Sequence, residues 1–282
     1  MITIDNLSVH FPLGRRLIGT APVVKAVDDV SLSIPKGSFF GLVGESGSGK
    51  TTLGRAILRA APITTGTIGY NDGEARYDVG TIAKSELRDY RRRAQLVFQD
   101  PYAALSPRMT VRDIIAEPLE VMELTSGREE TDERVREIAA KCRLNLEHLR
   151  RYPHAFSGGQ RQRISIARAL VCGPRFVVAD EAVAALDVSI QADILNLLKS
   201  LQRELDLTIL FISHDLSVVA HVCNHVAVMY HGRIMEEAST RELFANPGHD
   251  YTRALLSAIP SLDPDVPLNA QVYAPEGSVQ HQ

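Results

Sequence analysis

A glycine-rich run carries the strongest indication of chemistry in this sequence. It reads G-x-x-x-x-G-K-T, and its residues are Gly44, Glu45, Ser46, Gly47, Ser48, Gly49, Lys50 and Thr51, followed by Thr52. Glycines let backbone N–H groups turn toward phosphate oxygens, a lysine at this place reaches the β- and γ-phosphates, and the hydroxyl of Thr51 can ligate Mg²⁺. The run predicts nucleoside triphosphate binding, and alone it fits kinases, GTPases and recombinases equally well.

Two adjacent acids follow a short apolar stretch. Asp180 and Glu181 come directly after residues 176–179, Phe-Val-Val-Ala. A carboxylate at the end of a buried strand can hold Mg²⁺ through water, and the next one can deprotonate an attacking water, so we assign these roles to Asp180 and Glu181. Acids in this position could instead cap a helix. Together with the glycine-rich run, the catalytic interpretation is favoured.

A second glycine-containing motif precedes a helix predicted over residues 163–170. Its residues are Ser157, Gly158, Gly159 and Gln160, followed by Arg161. Backbone donors at a helix N-terminus bind phosphate, although a glycine-rich helix start needs no ligand at all. Two phosphate-binding motifs of one chain can act on the same nucleotide only if one of them comes from another subunit. The sequence therefore predicts a head-to-tail dimer with ATP between the partners.

Four single residues stand at places where strands or loops end. Gln99 follows Leu-Val-Phe, His214 follows Phe-Ile-Ser, Asp187 follows Leu186, and Phe11 lies at the end of the first apolar alternation. Taken singly, each has an ordinary structural explanation. These explanations are a surface glutamine, a packing histidine, a helix N-cap and a core phenylalanine.

The order of these motifs along the chain resembles that of the ATPases of ABC transporters, over about residues 1–262. The resemblance implies that Phe11 stacks on adenine and that residues 157–160 are the signature motif. It also implies that Gln99 senses Mg²⁺ and the attacking water, and that Asp187 belongs to a loop crossing the dimer interface. His214 would contact the γ-phosphate. With Lys50 and Glu181, Gln99 and His214 form the expected catalytic set, and Thr51, Gln99 and Asp180 the expected Mg²⁺ set.

Three further stretches narrow the resemblance to one subfamily of these ATPases. Residues 101–108, 151–154 and 246–256 resemble the oligopeptide/dipeptide importer ATPases, and the stretch from Pro12 to Pro22 suits the second ATPase of a pair. The resemblance implies two transmembrane permease subunits, a second and different ATPase subunit, and an extracytoplasmic binding protein. It places the chain at the cytoplasmic face of a bacterial inner membrane, with peptides as cargo.

Two alanines depart from the family pattern. Ala182 stands where the family usually has proline, and Ala184 where it has a hydroxyl residue. A lost hydroxyl removes a possible hydrogen bond across the interface, worth roughly 0.5–1.5 kcal/mol. This leads to the hypothesis that the two ATP sites of the dimer are unequal. No cysteine follows Cys223, so the iron–sulfur cluster of some relatives is not expected.

The elements that must position these residues follow from hydrophobic periodicity. Predicted strands span residues 2–11, 23–34, 38–43, 176–179 and 208–212, with a hairpin over 226–236. Predicted helices span residues 51–60, 110–124, 128–143, 163–170 and 189–205. The expected fold is α/β, a P-loop ABC nucleotide-binding domain with a mixed core sheet, an N-terminal antiparallel β subdomain and a helical insertion.

We expect residues 1–240 to form this domain, with the helical part at about 102–165. We expect residues 241–282 to form a C-terminal extension, and in its last twenty residues Pro, Asp and Ser interrupt the apolar pattern. No stretch approaches the roughly 18 apolar residues of a membrane span. Three separated cysteines favour buried thiols in a reducing compartment.

A net charge of −3 predicts no nucleic-acid partner. The residues alone leave two alternatives to an importer open. One is a soluble ATPase of this type acting on nucleic acid or ribosomes, which the absence of basic patches and long coiled coils disfavours. The other is a regulatory cassette that hydrolyses ATP weakly, which the presence of Glu181 and His214 disfavours.

Overall fold

A computed structural model of the protein describes residues 1–13, 22–258 and 273. In chain order its strands are β1 (Ile2–Pro12), β2 (Val23–Ile34), β3 (Phe39–Val43), β4 (Thr65–Asn71), β5 (Arg76–Asp78), β6 (Ala94–Val97), β7 (Phe176–Asp180), β8 (Thr208–Ser213), β9 (His225–Tyr230) and β10 (Arg233–Ser239). The helices are α1 (Lys50–Ile57), α2 (Leu87–Arg93), α3 (Pro101–Ala104), α4 (Val111–Val121), α5 (Arg128–Lys141), α6 (Gly158–Leu170), α7 (Val188–Glu204), α8 (Leu216–Val222), α9 (Thr240–Ala245) and α10 (Asp250–Ser257).

The strands form two sheets. An antiparallel sheet has the order β2-β1-β4-β5, and a six-stranded sheet has the order β10-β9-β3-β8-β7-β6. All neighbours in the second sheet run parallel except β9 and β10, which form the predicted hairpin. The carboxyl ends of parallel strands lie at one edge of a sheet, which is where α/β proteins bind ligands. Residues that follow β3, β6, β7 and β8 therefore converge.

The central strand β3 shows how the two hydrophobic cores arise. All five of its residues are buried, and successive side chains of a strand point to opposite faces. Phe40 and Leu42 pack with the antiparallel sheet and α1. Phe39 and Val43 pack with the helices on the other face. The six-stranded sheet is thus covered on both sides, as a parallel sheet requires.

The α/β fold with a mixed sheet and a separate antiparallel sheet is confirmed. Helices α3 to α6 lie between β6 and β7 in the chain, at the place of the predicted helical insertion. All three cysteines are buried free thiols, and burial raises the pKa of Cys142 to about 12 and that of Cys172 to about 11. Within the described residues, no helix combines the length and apolar character that a bilayer crossing demands.

One predicted boundary is wrong in a way that matters for the site. The helix expected to start at Arg163 starts at Gly158. Ser157 Oγ accepts the Gln160 N–H, and the Gln160 side chain accepts the Ser157 N–H, so a reciprocal capping box begins the helix five residues earlier. Most of the stretch from Pro12 to Pro22, and all of the last twenty residues except Tyr273, lie outside the described residues.

Candidate functional site

Lys50, the first residue of α1, follows the glycine-rich loop, which we define as residues 44–49. Its side chain is buried, and Nζ donates to the carbonyl oxygens of Gly44 and Glu45 at 2.7 Å each and to Ser48 Oγ at 3.2 Å. Burial lowers the pKa of Lys50, against the attraction of Glu181, Asp180 and Glu45. A buried ammonium group held mainly by neutral oxygens provides a binding place for an anion.

The conformation of the loop requires glycine at its last position. Gly49 precedes α1 with φ of 105°, and a Cβ there would lie 2.1 Å from the carbonyl oxygen of Ala26 in β2. The turn between β9 and β10 supports the loop from another side, because the Gly232 N–H donates to Ser48 O at 2.9 Å. Strand β2 and the β9–β10 hairpin therefore hold the loop in place.

Two oxygen-bearing side chains meet beside the loop. Thr51 Oγ1, on the first turn of α1, donates to Asp180 Oδ1 at the end of β7 over 3.0 Å. Burial raises the pKa of Asp180, partly opposed by this hydrogen bond. A buried carboxylate without a cationic side chain bonded to it is costly, and a hydroxyl next to a carboxylate matches the oxygen donors that Mg²⁺ prefers. The residues present fit this ion.

Glu181 links two of the predicted single residues. Gln99 Nε2 donates to Glu181 Oε2 at 2.5 Å, and His214 Nδ1 lies 3.2 Å from Glu181 Oε1. Glu181 has a left-handed backbone with φ of 46°, and its N–H donates to Ile212 O in β8 at 3.0 Å. Such a conformation costs of order 1–3 kcal/mol and persists where surrounding structure holds it. The side chains of Gln99 and His214, from different parts of the chain, thus converge on the carboxylate of Glu181.

A cleft of about 400 Å³ brings Lys50, Thr51, Gln99 and Glu181 together, whereas Asp180 and His214 are not part of its lining. Its lining comprises Val24, Lys25, Ala26, Ser46, Gly47, Gly49, Lys50, Thr51, Thr52, Gln99, Glu181, His231 and Gly232. Sequence reasoning missed five lining residues, which reach the cleft from β2 and from the β9–β10 turn: Val24, Lys25, Ala26, His231 and Gly232. The only sequence signal was the His-Gly pair at the centre of the hairpin. Phe11 does not line the cleft, but it pairs with Val24 in the sheet and is 37% exposed.

The second glycine-containing motif lies apart from this cleft, since none of residues 157–160 contributes to its lining. The side chains of Ser157 and Gln160 cap α6, while N–H groups in the first turn of a helix have no carbonyl partner within it. A Cβ at Gly159 would lie 2.5 Å from Ile190 Cγ2, whereas one at Gly158 would lie 3.4 Å from Leu186 Cδ2. Glycine at 159 is therefore needed for packing against α7, whatever else it does.

Asp187 occupies the N-cap position of α7, but its side chain makes no capping hydrogen bond. It is exposed, as is Ala184 three residues earlier, whereas Ala182 is buried. The simple capping explanation of Asp187 is thereby weakened. The loop before α7 presents a carboxylate and a methyl group to solvent, outside the cleft.

An apolar groove of about 540 Å³ lies next to the residues that precede Gln99. Leu96 and Phe98 line one side, and Pro118 and Val121 of α4 line the other. Phe98 is 44% exposed and Val121 is 73% exposed. Exposed apolar side chains on both walls are typical of a protein interaction site.

Comparisons with known proteins agree with this geometry. A family model described as ABC transporter matches residues 27–184, and one described as oligopeptide/dipeptide transporter, C-terminal region, matches residues 235–281. The sequence is 50% identical to the oligopeptide transport ATP-binding protein OppF of Bacillus subtilis over 277 residues, covering 98% of this chain and 88% of that protein. It is 54% identical to a putative peptide import ATP-binding protein of Brucella ovis over 272 residues, covering 96% and 82%.

A solved structure is similar over most of the chain. It is a dimeric ATP-binding cassette in a post-hydrolysis state bound to ADP and phosphate, with a TM-score of 0.73 and 28% sequence identity. The match covers 86% of this chain and 99% of that one.

Proposed function

This chain belongs to the ABC transporter family, and from this premise we propose that it is the ATP-binding and hydrolysing subunit of an importer of the oligopeptide/dipeptide class. The observation that carries the proposal is the convergence of Gln99 and His214 on Glu181 beside the glycine-rich loop. Relatives named for peptide import support the class of cargo.

In this proposal ATP binds in the cleft that Lys50 borders. The buried ammonium group, which the carbonyl oxygens of Gly44 and Glu45 hold, would contact the β- and γ-phosphates, and loop N–H groups would contact phosphate oxygens. The adenine would lie toward Val24 and its sheet neighbour Phe11, since both expose apolar surface there. Lys25 and His231 line the same cleft and would contact the nucleotide as well.

Thr51, Gln99 and, through water, Asp180 would hold Mg²⁺. The ion, when bound, would neutralise charge on the phosphate oxygens. The oxygen donors of Thr51 and Asp180 already lie within hydrogen-bond distance of each other, which supports this assignment. Asp180 is buried, so a nearby cation would also offset the cost of its charge.

Hydrolysis would begin with Glu181 as general base. Its carboxylate takes a proton from water while the water oxygen attacks the γ-phosphorus in line, and the bond to the β–γ bridging oxygen breaks to give ADP and phosphate. Gln99 and His214, which both contact this carboxylate, fix its orientation. His214 is well placed to stabilise negative charge on the γ-phosphate, because it stands beside the base at the end of β8.

The motif at residues 157–160 would act on the nucleotide of a partner subunit. It lies outside the cleft of its own chain, and the first N–H groups of α6 have no partner within the helix. The exposed Asp187 would cross the same interface. The dimeric state of the similar solved cassette supports a head-to-tail pair. We propose a second, homologous ATPase subunit as the partner, with this chain as the second member of the pair.

Two transmembrane permease subunits would be the other partners, fed by an extracytoplasmic binding protein. We assign the groove between Leu96, Phe98 and α4 to a cytoplasmic helix of a permease subunit, because the apolar walls suit an amphipathic helix. Motion at Gln99 would then pass directly to the membrane partner. This places the chain at the cytoplasmic face of a bacterial inner membrane.

The proposal also divides the chain into a nucleotide-binding domain and a C-terminal extension. Residues 1–240 would form the nucleotide-binding domain, with the helical part at about 102–165, and residues 241–282 the extension of this importer class. The family match that begins at residue 235 supports the second boundary.

An affinity purification of the tagged subunit from detergent-solubilised membranes tests this function. We expect two multispanning proteins and a second ATPase to co-purify, with Mg-ATPase activity raised by a peptide-loaded binding protein. A Phe98→Asp/Val121→Asp variant should lose the multispanning proteins while still binding ATP. Recovery of soluble or nucleic-acid-bound partners alone would contradict the proposal.

A further inference from the structure

The C-terminal extension reaches the glycine-rich loop through one tyrosine. Tyr251, on α10, is buried, and its hydroxyl oxygen accepts a hydrogen bond from the Glu45 N–H at 3.3 Å. The two residues are 206 positions apart in the sequence. Burial raises the pKa of Tyr251 to about 12, so the hydroxyl stays neutral at physiological pH and remains an acceptor.

Contacts on several sides hold the tyrosine in place. The ring centroid of Tyr230, at the end of β9, lies 4.4 Å from that of Tyr251, and the ring centroid of Tyr273 lies 5.3 Å from that of Tyr251. We call these three residues the aromatic cluster. The start of α10 is held by Glu236, whose carboxylate accepts the N–H groups of Gly248 at 2.7 Å and His249 at 3.0 Å. The hydroxyl therefore has a fixed position relative to the β9–β10 hairpin.

The hydrogen bond from Glu45 acts on the peptide unit that also holds Lys50. The carbonyl oxygen of Gly44 and the N–H of Glu45 belong to one peptide group, which is planar with its oxygen and hydrogen on opposite sides. Lys50 Nζ donates to that oxygen at 2.7 Å, and Tyr251 accepts from that N–H. The two side chains thus hold opposite edges of the same rigid plane.

We propose that Tyr251 is a positioning residue for nucleotide binding, which sets the orientation of the Gly44–Glu45 peptide and thereby the position of Lys50. The C-terminal extension is then a structural part of the ATP site of this chain. A displacement of α10 would tilt the peptide plane and move the lysine away from the phosphates. The inference rests on the proposed binding of ATP in this cleft.

Tyr251→Phe tests the inference, because it removes the hydroxyl and leaves the ring in the aromatic cluster. We expect the Kd for ATP of the full-length chain to rise roughly two- to tenfold, the range for one lost hydrogen bond. In the assembled complex the KM for ATP should rise by the same factor, with kcat within about twofold of the unchanged protein, since the residue acts on binding geometry. The melting temperature of the nucleotide-free chain monitors folding.

Tyr70→Phe is the matched control. It removes the hydroxyl of another buried tyrosine, which donates to Asp72 at 3.0 Å in the antiparallel sheet, outside the cleft. Its Kd for ATP should match that of the unchanged chain. An equal rise in both variants, or none in Tyr251→Phe, would overturn the inference.

Two further variants separate the possible failures. Lys50→Ala should abolish ATP binding, and if the unchanged chain itself does not bind ATP, the proposed function fails together with the inference. If Lys50→Ala loses binding while Tyr251→Phe keeps full affinity, only the inference fails. Should Tyr251→Phe not fold, Glu236→Gln decides by the same Kd criterion, since it removes one of the two bonds that hold the start of α10.

Discussion

Replacing Gly159 by alanine distinguishes the two roles assigned to the start of α6. A Cβ at this position would lie 2.5 Å from Ile190 Cγ2 on α7, whereas carbon atoms in contact are ordinarily about 3.5–4.0 Å apart. The backbone N–H, which would bind a phosphate, is unchanged by the substitution. The steric effect can therefore be measured apart from the chemical one.

The expected loss of stability in Gly159→Ala follows from a comparison with the neighbouring Gly158. Gly158→Ala adds the same methyl group to the same helical turn, but its Cβ meets Leu186 at an ordinary 3.4 Å. Both variants gain helix propensity of up to about 1 kcal/mol, so this gain cancels in a comparison. Overpacking costs about 1–3 kcal/mol. Gly159→Ala should therefore be less stable than Gly158→Ala by about 1–3 kcal/mol.

Thermal unfolding of the nucleotide-free chain checks this difference, which corresponds to roughly 2–5 °C in Tm for a chain of this size. Adding Ile190→Ala should restore part of the stability lost in Gly159→Ala, because the two sites are in contact and their effects are not additive. Equal melting temperatures of the two glycine variants would refute the packing argument. Gly159 would then have no packing role against α7.

Two other predictions concern charge and the dimer interface. Because burial raises the pKa of Asp180, ionising this group costs the nucleotide-free chain stability as pH rises through the raised pKa. The Tm of Asp180→Asn should therefore exceed that of the unchanged chain at pH 7, and the two Tm values should be the same at about pH 3. The variant should also lose ATPase activity. A constant Tm difference from pH 3 to pH 7 would contradict the argument. Ala184→Ser restores a hydroxyl at an exposed position and should change turnover of the assembled complex by up to about tenfold, the equivalent of one hydrogen bond. Unchanged turnover would argue against unequal ATP sites.

The parts of the site that were predictable from the sequence are those defined by short local spacings. The glycine-rich loop between β3 and α1, and the two acids after residues 176–179, lie where hydrophobic runs end. A buried parallel strand produces such a run, and its carboxyl end is the edge where ligands bind. The family and the fold expected from these motifs are both confirmed.

The start of α6 was wrong because two local signals conflict there. Gly158 and Gly159 have poor helix propensity, which favours a later start. The reciprocal bonds of Ser157 and Gln160 outweigh this cost, since a capping box satisfies two backbone donors at once. The S-x-x-Q spacing was visible in the sequence and would have predicted the observed start.

Other site residues could not be found from local patterns. Lys25 and His231 reach the cleft from elements about 200 residues apart, and Tyr251 reaches Glu45 over a similar separation. Their positions depend on how the antiparallel sheet, the β9–β10 hairpin and α10 pack around the loop. No periodicity within one segment carries that information.

The most direct test of the account compares ATP binding and hydrolysis in Glu181→Gln and the unchanged chain, each in the assembled complex. The substitution keeps the size of the side chain and removes the group that accepts the proton from water. We expect kcat to fall about 10²–10⁴-fold and the Kd for ATP to stay within about twofold. Glu147→Gln, an exposed acid outside the cleft, should change neither value. If Glu181→Gln hydrolyses ATP at the rate of the unchanged complex, Glu181 is not the general base and the proposed mechanism is wrong.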